Sequence, residues 1–242
     1  MNRLIGALSL VGGTGRLPSG SAGERLLRQS RVERTYPVVC RNLGLPCELS
    51  VSILGAQLLA RSQADEILRT LEAVPLKGLD LAWHEYPSPD LRDMGDLALL
   101  VRSGDVARAD GILRSLGYVP ELAPELLRSG TLRAALYERE GSLPVHLHWH
   151  LLNSSWPQFM FRVDMDEVWN SVRGGRLSAP HRFVSLCEHA LKHSYSELVH
   201  LTDLDLVARG LDWEATAGVA ARWGLTDAVR CSLILLRDLT GR

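Results

Sequence analysis

The chain has 242 residues, of which 46% are hydrophobic and 23% are charged. That length suits one large domain or two small ones, and the composition is ordinary for a globular protein with a buried core. The formal net charge is −1, which disfavours a general nucleic-acid binder or an anionic-membrane binder, because both usually carry a basic excess. Codon bias in a GC-rich genome best explains why only Lys77 and Lys192 are lysines among the 27 basic residues.

The amino-terminal region and the cysteines indicate a cytoplasmic protein. The apolar run from Leu4 to Gly13 is too short to span a membrane, and arginines follow it. The four cysteines form no C-x-x-C pair, which favours buried free thiols in a reducing compartment. An organelle transit peptide is an alternative, because residues 1–42 hold seven arginines against two glutamates.

The first half of the chain alternates between loop, helix and strand patterns. Residues 12–23 are rich in Gly and Ser and predict a loop, whereas apolar residues recur at spacings of three and four between 49 and 71. The pattern then predicts a short apolar stretch at 74–77, a buried strand at 97–101, and a helix that Asp105 caps and Gly117 ends.

Residues 131–151 predict a β-hairpin with its turn at residues 140–142. In the return strand, side chains alternate between the two faces of the sheet. We therefore expect one face to carry His146, His148 and His150.

Beyond residue 164 the chain is predicted to be helical. The expected helices cover 164–172, 181–196, 200–209, 212–223 and 226–238. Helices, then strands, then helices indicate an α+β fold rather than a regular βαβ array. The expected units are an N-terminal arm at 1–47, partly flexible, a core at 48–160 and a C-terminal helical subdomain at 161–242.

Three blocks of sequence resemble the uncharacterised branch of the polymerase-β-like nucleotidyltransferase superfamily. The first runs from Pro75 to Tyr118 and contains an L-K-G turn at 76–78, Tyr86-Pro87, Arg92, Met94, Asp96 and the strand Leu99-Leu100-Val101. The second is VHLHW at 145–149, which is similar to a D-L-H-W strand. The third, 187–203, is similar to an H-x-x-x-H helix followed by a helix that carries an Asp.

This resemblance implies a small mixed sheet with helices, an N-terminal helical segment and a C-terminal helical subdomain that closes a cleft. It implies transfer of a nucleotidyl group from an NTP to a small-molecule or peptide acceptor. Mg²⁺ serves such chemistry by neutralising phosphate charge, and it requires carboxylate oxygens. By the same resemblance, Lys77, Gly78 and Arg92 would hold phosphate and Asp96 would hold metal.

The sequence departs from the family pattern at two metal positions. Ala98 stands at the second carboxylate of the D-x-D pair, and His146 stands where a third carboxylate is common. Imidazole suits transition metals better than Mg²⁺, so the identity of the divalent metal stays open between the two. Natural divergence explains two departures better than one engineered substitution at Ala98 does.

The histidines supply candidate ligands and bases. His146 and His148 are predicted as metal ligands with Asp96, or as general bases. His189 and His193 share one helix face at i,i+4 and, with Asp203, are expected to support the site from behind.

Three functions remain open at this stage. The first is a nucleotidyltransferase-like enzyme that acts on a phosphate-containing substrate, with the tailoring of a specialised metabolite or a peptide as a plausible setting. The second is a non-catalytic nucleotide- or partner-binding protein of the same fold. The third is a His-rich metalloenzyme with different chemistry.

Overall fold

A computed structural model describes residues 2–123, 127, 132–152 and 161–240. In this part of the chain, a five-stranded mixed sheet has the order β1-β2-β5-β4-β3. The strands are β1 (Val74–Pro75), β2 (Leu97–Leu100), β3 (Val119–Pro120), β4 (Ala134–Glu138) and β5 (Val145–His148). The central pair β2 and β5 is parallel, and the other pairs are antiparallel.

The two faces of the sheet belong to different parts of the core. Leu97 and Leu99 face α4 (Ser50–Leu68) and α6 (Val106–Ser115), whose apolar side chains cover that side. Ala98 and Leu100 belong to the cluster that the C-terminal helices cover. This division follows from the twofold alternation of strand side chains, and it puts Asp96, Ala98 and His146 on the C-terminal side.

The N-terminal segment consists of three helices that pack onto the rest of the molecule. They are α1 (Asn2–Ser9), α2 (Ser21–Val32) and α3 (Tyr36–Leu43), and they share a small apolar core around Leu8 and Val39. α5 (Lys77–His84) follows β1 directly.

The C-terminal helices cover one face of the sheet. They are α7 (Met165–Asn170), α8 (Ala179–Lys192), α9 (Leu198–Ala208), α10 (Trp213–Trp223) and α11 (Thr226–Thr240). α1 packs on α11, and the backbone oxygen of Ser9 accepts a hydrogen bond of 2.8 Å from Thr202 on α9. The N-terminal helices are therefore attached to the helices that line the cleft described below.

Most predicted elements are present, with shifted ends. The predicted helix 181–196 was too long: α8 ends at Lys192, and Ser194 and Tyr195 adopt left-handed backbone angles. Asp105 occupies the N-cap position of α6 but its side chain makes no capping hydrogen bond, whereas Gly117 has φ 86° just after that helix. The predicted boundary at residue 160 lies outside the described residues.

The cysteine prediction holds in part. Cys40 and Cys187 are buried free thiols, but Cys47 is half-buried and Cys231 is exposed. In the described part of the chain, no helix combines the length and the apolar character needed to cross a membrane.

Candidate active-site cleft

A cleft with a volume of about 280 Å³ separates the sheet from α8 and α9. One side of the cleft is formed by the start of α5 and the residues just before β2. The other side is formed by the end of α8 and the start of α9. The charged and imidazole side chains that line it are Arg34, Lys77, Arg92, Asp96, His146, His189, Lys192, His193, Glu197 and His200.

Lys77 begins α5 in an unusual backbone conformation. Its φ is +52°, in the left-handed region that a residue with a side chain seldom adopts. Gly78 follows, and a Cβ there would lie 3.0 Å from the Cβ of Met94, so the close approach of the turn to the segment before β2 requires glycine. Partial burial lowers the pKa of Lys77, and the charge of Asp96 opposes that effect.

A buried ion-pair cluster holds α5 in place. Asp80 lies one turn after Lys77 and is 4% exposed, and it pairs with Arg176 and, at 3.6 Å, with Arg182. Arg182 also donates to Glu85 at 2.7 Å. Sequence reasoning missed this cluster, which joins the Lys77 turn to the C-terminal helices across about a hundred residues.

Asp96 and His146 meet in the cleft, as the resemblance implied that these positions would. The Nδ1 atom of His146 lies 3.5 Å from Oδ2 of Asp96, and both side chains are partly exposed. Burial would raise the pKa of Asp96, but the hydrogen bond from His146 and the charge of Lys77 hold it below its usual value. The pair therefore has the arrangement of a carboxylate that orients an imidazole.

His148 lies beneath His146 rather than in the cleft. Its side chain is 0% exposed, and its ring centroid is 4.2 Å from that of His146. Neither ring nitrogen has a hydrogen-bond partner, and burial keeps its pKa well below the usual value. The structure thus assigns to His146, and not to His148, the position that a substrate can reach.

Ala98 fills the place of the second carboxylate with a methyl group. It is 3% exposed, and in the parallel register it faces His146. Its backbone oxygen accepts a hydrogen bond of 2.9 Å from the backbone N–H of Leu76, which holds β2 beside the Lys77 turn.

Arg92 and Asp203 have structural roles that the sequence did not reveal. The guanidinium of Arg92 donates to both carboxylate oxygens of Asp203 at 2.8 Å, and Tyr86 donates to the same carboxylate at 2.7 Å. Arg92 was predicted to hold phosphate, but its guanidinium is engaged by this buried pair. Asp203 was predicted to support His189 or His193. In the structure its carboxylate instead binds Arg92, which precedes β2, and Tyr86.

His150 does not share the face of His146. β5 ends at His148, and the ring of His150 turns to Arg133 and to the backbone oxygen of Leu152. It lines a separate cavity, so the predicted face of three histidines has two members.

A second histidine cluster lies across the cleft. His189 lies in the last turn of α8 and His193 is the residue that caps its C-terminus, and their ring centroids are 4.5 Å apart. His200 on α9 joins them, at 5.0 Å from His189 and 5.4 Å from His193. Sequence reasoning missed His200. The feature that could have identified it is its position near the start of α9, three residues before Asp203.

Comparison with known proteins places this geometry in a family. The model of the uncharacterised nucleotidyltransferase family matches residues 21–241. The chain belongs to this family. The predicted family and α+β fold are thereby confirmed.

Among solved structures, the chain is similar to the solution structure of the antibiotic-resistance factor ANT(2'')-Ia. The identity is 17% and the TM-score is 0.41, and the match covers 78% of this chain and 95% of that chain. A likeness at this level carries no argument about function. No curated protein sequence matches the chain.

The residues of the cleft do not fit the magnesium site that this nucleotidyltransferase fold implies. Mg²⁺ needs several oxygen ligands, and Ala98 leaves Asp96 as the one carboxylate of the D-x-D pair. Across the described residues, no three His, Cys, Asp or Glu side chains are grouped so that they could hold a metal ion. We therefore derive no step through a metal.

Proposed function

We propose that the cleft binds the phosphate groups of a nucleoside triphosphate and that the protein is a nucleotidyltransferase-like enzyme. The acceptor would be a small molecule or a peptide, as in the tailoring of a specialised metabolite. Membership of the nucleotidyltransferase family supports the reaction class. The geometry of the Lys77 turn supports the binding of phosphate.

The observation that carries the proposal is the left-handed backbone of Lys77 at the start of α5, beside the cleft. A left-handed residue next to right-handed helical ones turns successive N–H groups towards one point, which makes an anion-binding concavity. The N-terminus of a helix adds a partial positive charge. The ammonium of Lys77 adds positive charge: burial lowers the pKa of Lys77, and the neighbouring carboxylate of Asp96 opposes that effect.

His146 and Asp96 are proposed to move the proton of the acceptor. His146 is partly exposed in the cleft and is in contact with Asp96 at 3.5 Å. An imidazole held by a carboxylate can take a proton from an acceptor hydroxyl through its other nitrogen. The acceptor oxygen would then bond to the α-phosphorus of the triphosphate as the bond to the β-phosphate breaks and pyrophosphate leaves. Asp96 would position the ring and stabilise its charged form.

A non-catalytic binding protein of the same fold is the second candidate. The buried methyl of Ala98 favours it, because the residue cannot ligate a metal. No observation among the described residues favours the third hypothesis, a His-rich metalloenzyme.

Calorimetry with nucleoside triphosphates tests the proposal. We expect binding that Lys77→Gln weakens by about tenfold or more, because a single charge-assisted phosphate contact contributes roughly 1.5–3 kcal/mol. Arg108→Gln on α6 is the matched control, because that arginine lies outside the cleft. Equal weakening by both variants, or failure of every triphosphate to bind at millimolar concentration, would reject the proposal.

Mass spectrometry of reaction mixtures separates the two candidate functions. Nucleotidyl transfer that His146→Gln abolishes, with triphosphate affinity unchanged, supports the enzyme. Triphosphate binding with no transferred group on any acceptor from a small-molecule and peptide panel supports the binding protein.

A further inference from the structure

The cluster of His189, His193 and His200 is not used by the proposed function. It lines the side of the cleft that faces the Lys77 turn. His200 is only 9% exposed, and its Nδ1 atom is buried without a hydrogen-bond partner. A buried polar atom of this kind costs free energy unless a ligand satisfies it.

The charges around the cluster favour an anion over a cation. Burial lowers the pKa of His189 and of His193, and Lys77 and Lys192 lower it further, so both lysines add positive charge near the cluster. A metal ion would be repelled by that charge. An oxyanion would be attracted by the two lysines and could accept N–H groups from the imidazoles.

We propose that His189, His193 and His200 form an oxyanion subsite that takes a phosphate group and gains a proton when it is filled. This subsite extends the proposed function, and it depends on that function for the identity of the nucleotide. The phosphate could belong to the terminal part of the triphosphate or to the acceptor, since the recognition chemistry is the same.

Proton uptake follows from the state of the empty cluster. Burial lowers the pKa of His200 to about 4, and burial together with the lysines lowers the pKa of His189 and His193, so the rings are neutral near pH 7. A bound anion offsets the lysine charges and stabilises an imidazolium. Binding of the anion therefore strengthens as the pH falls.

Several other charged groups face the cluster and set its baseline. Arg34 is paired with Glu197 at 3.6 Å, and Arg92 is paired with Asp203, so these charges largely offset each other. The groups that face the cluster are Lys77, Lys192, Arg34, Arg92, Glu197 and Asp203, with Asp96 and His146 across the cleft. Buried Glu188 on α8 also acts on Lys77 and offsets part of its charge.

The test uses sulfate as the probe, because sulfate stays a dianion over the whole pH range and any proton taken up belongs to the protein. Histidine ring resonances are followed by NMR against pH in saturating sodium sulfate and in sodium chloride of equal ionic strength. We expect sulfate to raise the pKa of His193 or His200 by about one unit. For His200, whose pKa is about 4, a rise of about one unit means that sulfate should bind roughly threefold more tightly at pH 4.5 than at pH 7.5.

Variants locate the effect. His193→Gln and His200→Gln should flatten the pH dependence of sulfate binding, whereas Lys77→Gln should weaken binding at both pH values. His84→Gln is the control, because His84 is exposed on α5 outside the cleft. No difference between sulfate and chloride, or a pH dependence that survives in His193→Gln and His200→Gln, would overturn the proposal.

Competition assigns the source of the phosphate and separates this inference from the proposed function. A triphosphate that displaces sulfate, where a monophosphate does not, supports terminal phosphates as the occupant. Sulfate that stays bound beside a saturating triphosphate supports an acceptor phosphate. If sulfate binding depends on the histidines but no triphosphate binds, the oxyanion subsite is supported and the proposed nucleotide is rejected.

Discussion

The ion pair between Arg92 and Asp203 joins the sheet to α9, and Asp203→Asn should break it. Both charges are buried, at 7% and 1% exposure, and two hydrogen bonds of 2.8 Å connect them. Burial alone would lower the pKa of Arg92, but Asp203 holds it above its usual value, so the guanidinium stays charged. The variant therefore leaves a buried positive charge without its partner carboxylate.

The magnitude follows from that uncompensated charge. Removing one member of a buried pair costs about 3–5 kcal/mol, and the amide NH2 of the new Asn would face the Arg92 guanidinium as a second donor. For a chain of this length, that cost corresponds to a fall in Tm of roughly 10 °C.

Thermal and urea denaturation measure the effect, with two comparison variants. The double variant Arg92→Met with Asp203→Leu removes both charges and should be closer to the parent protein in stability than Asp203→Asn is. Asp238→Asn breaks an exposed pair with Arg237 and should leave the Tm unchanged. A fall of less than about 1 kcal/mol for Asp203→Asn would refute the reasoning.

Three further predictions concern the cleft and its surroundings. Ala98→Asp adds a carboxylate beside Asp96 at a site 3% exposed. Without Mg²⁺ it should cost several kcal/mol, because a buried charge loses its hydration. Mg²⁺ should raise the Tm of the variant but not of the parent. His148→Leu should leave the Tm equal or higher, because neither ring nitrogen has a partner; a fall above roughly 5 °C would contradict this. Burial lowers the pKa of His150 and of His200 to about 4, so between pH 6.5 and about 4 the unfolded chain binds more protons than the folded chain. The free energy of unfolding, measured with denaturant, should therefore fall as the pH is lowered through this range. A free energy of unfolding that does not change over this range would contradict the prediction.

Local patterns in the sequence predicted the sheet and much of the helical content. The hairpin formed as expected, since Gly141 supplies a left-handed turn with φ 68° and the flanking strands alternate. The strand predicted at 97–101 is present as Leu97–Leu100, because a short buried strand depends on neighbours within a few residues. The order of the motifs along the chain also predicted that Lys77, Asp96 and His146 lie in one cleft.

Interactions between distant segments could not be predicted in this way. Arg92 and Asp203 are 111 positions apart, and the pairing of Asp80 with Arg176 spans 96, so no local periodicity reports them. His150 was wrongly assigned to the face of His146. β5 ends two residues before His150, and the ring of His150 is hydrogen-bonded to Arg133. His200 was overlooked because its partners lie on another helix.

Triphosphate binding by the parent protein and by Lys77→Gln, measured by calorimetry side by side, tests the central claim most directly. A dissociation constant in the micromolar to low millimolar range for the parent, weakened about tenfold or more in Lys77→Gln but not in Arg108→Gln, is the result we predict. Binding that is unaffected by the loss of the Lys77 charge would contradict a phosphate site at the start of α5.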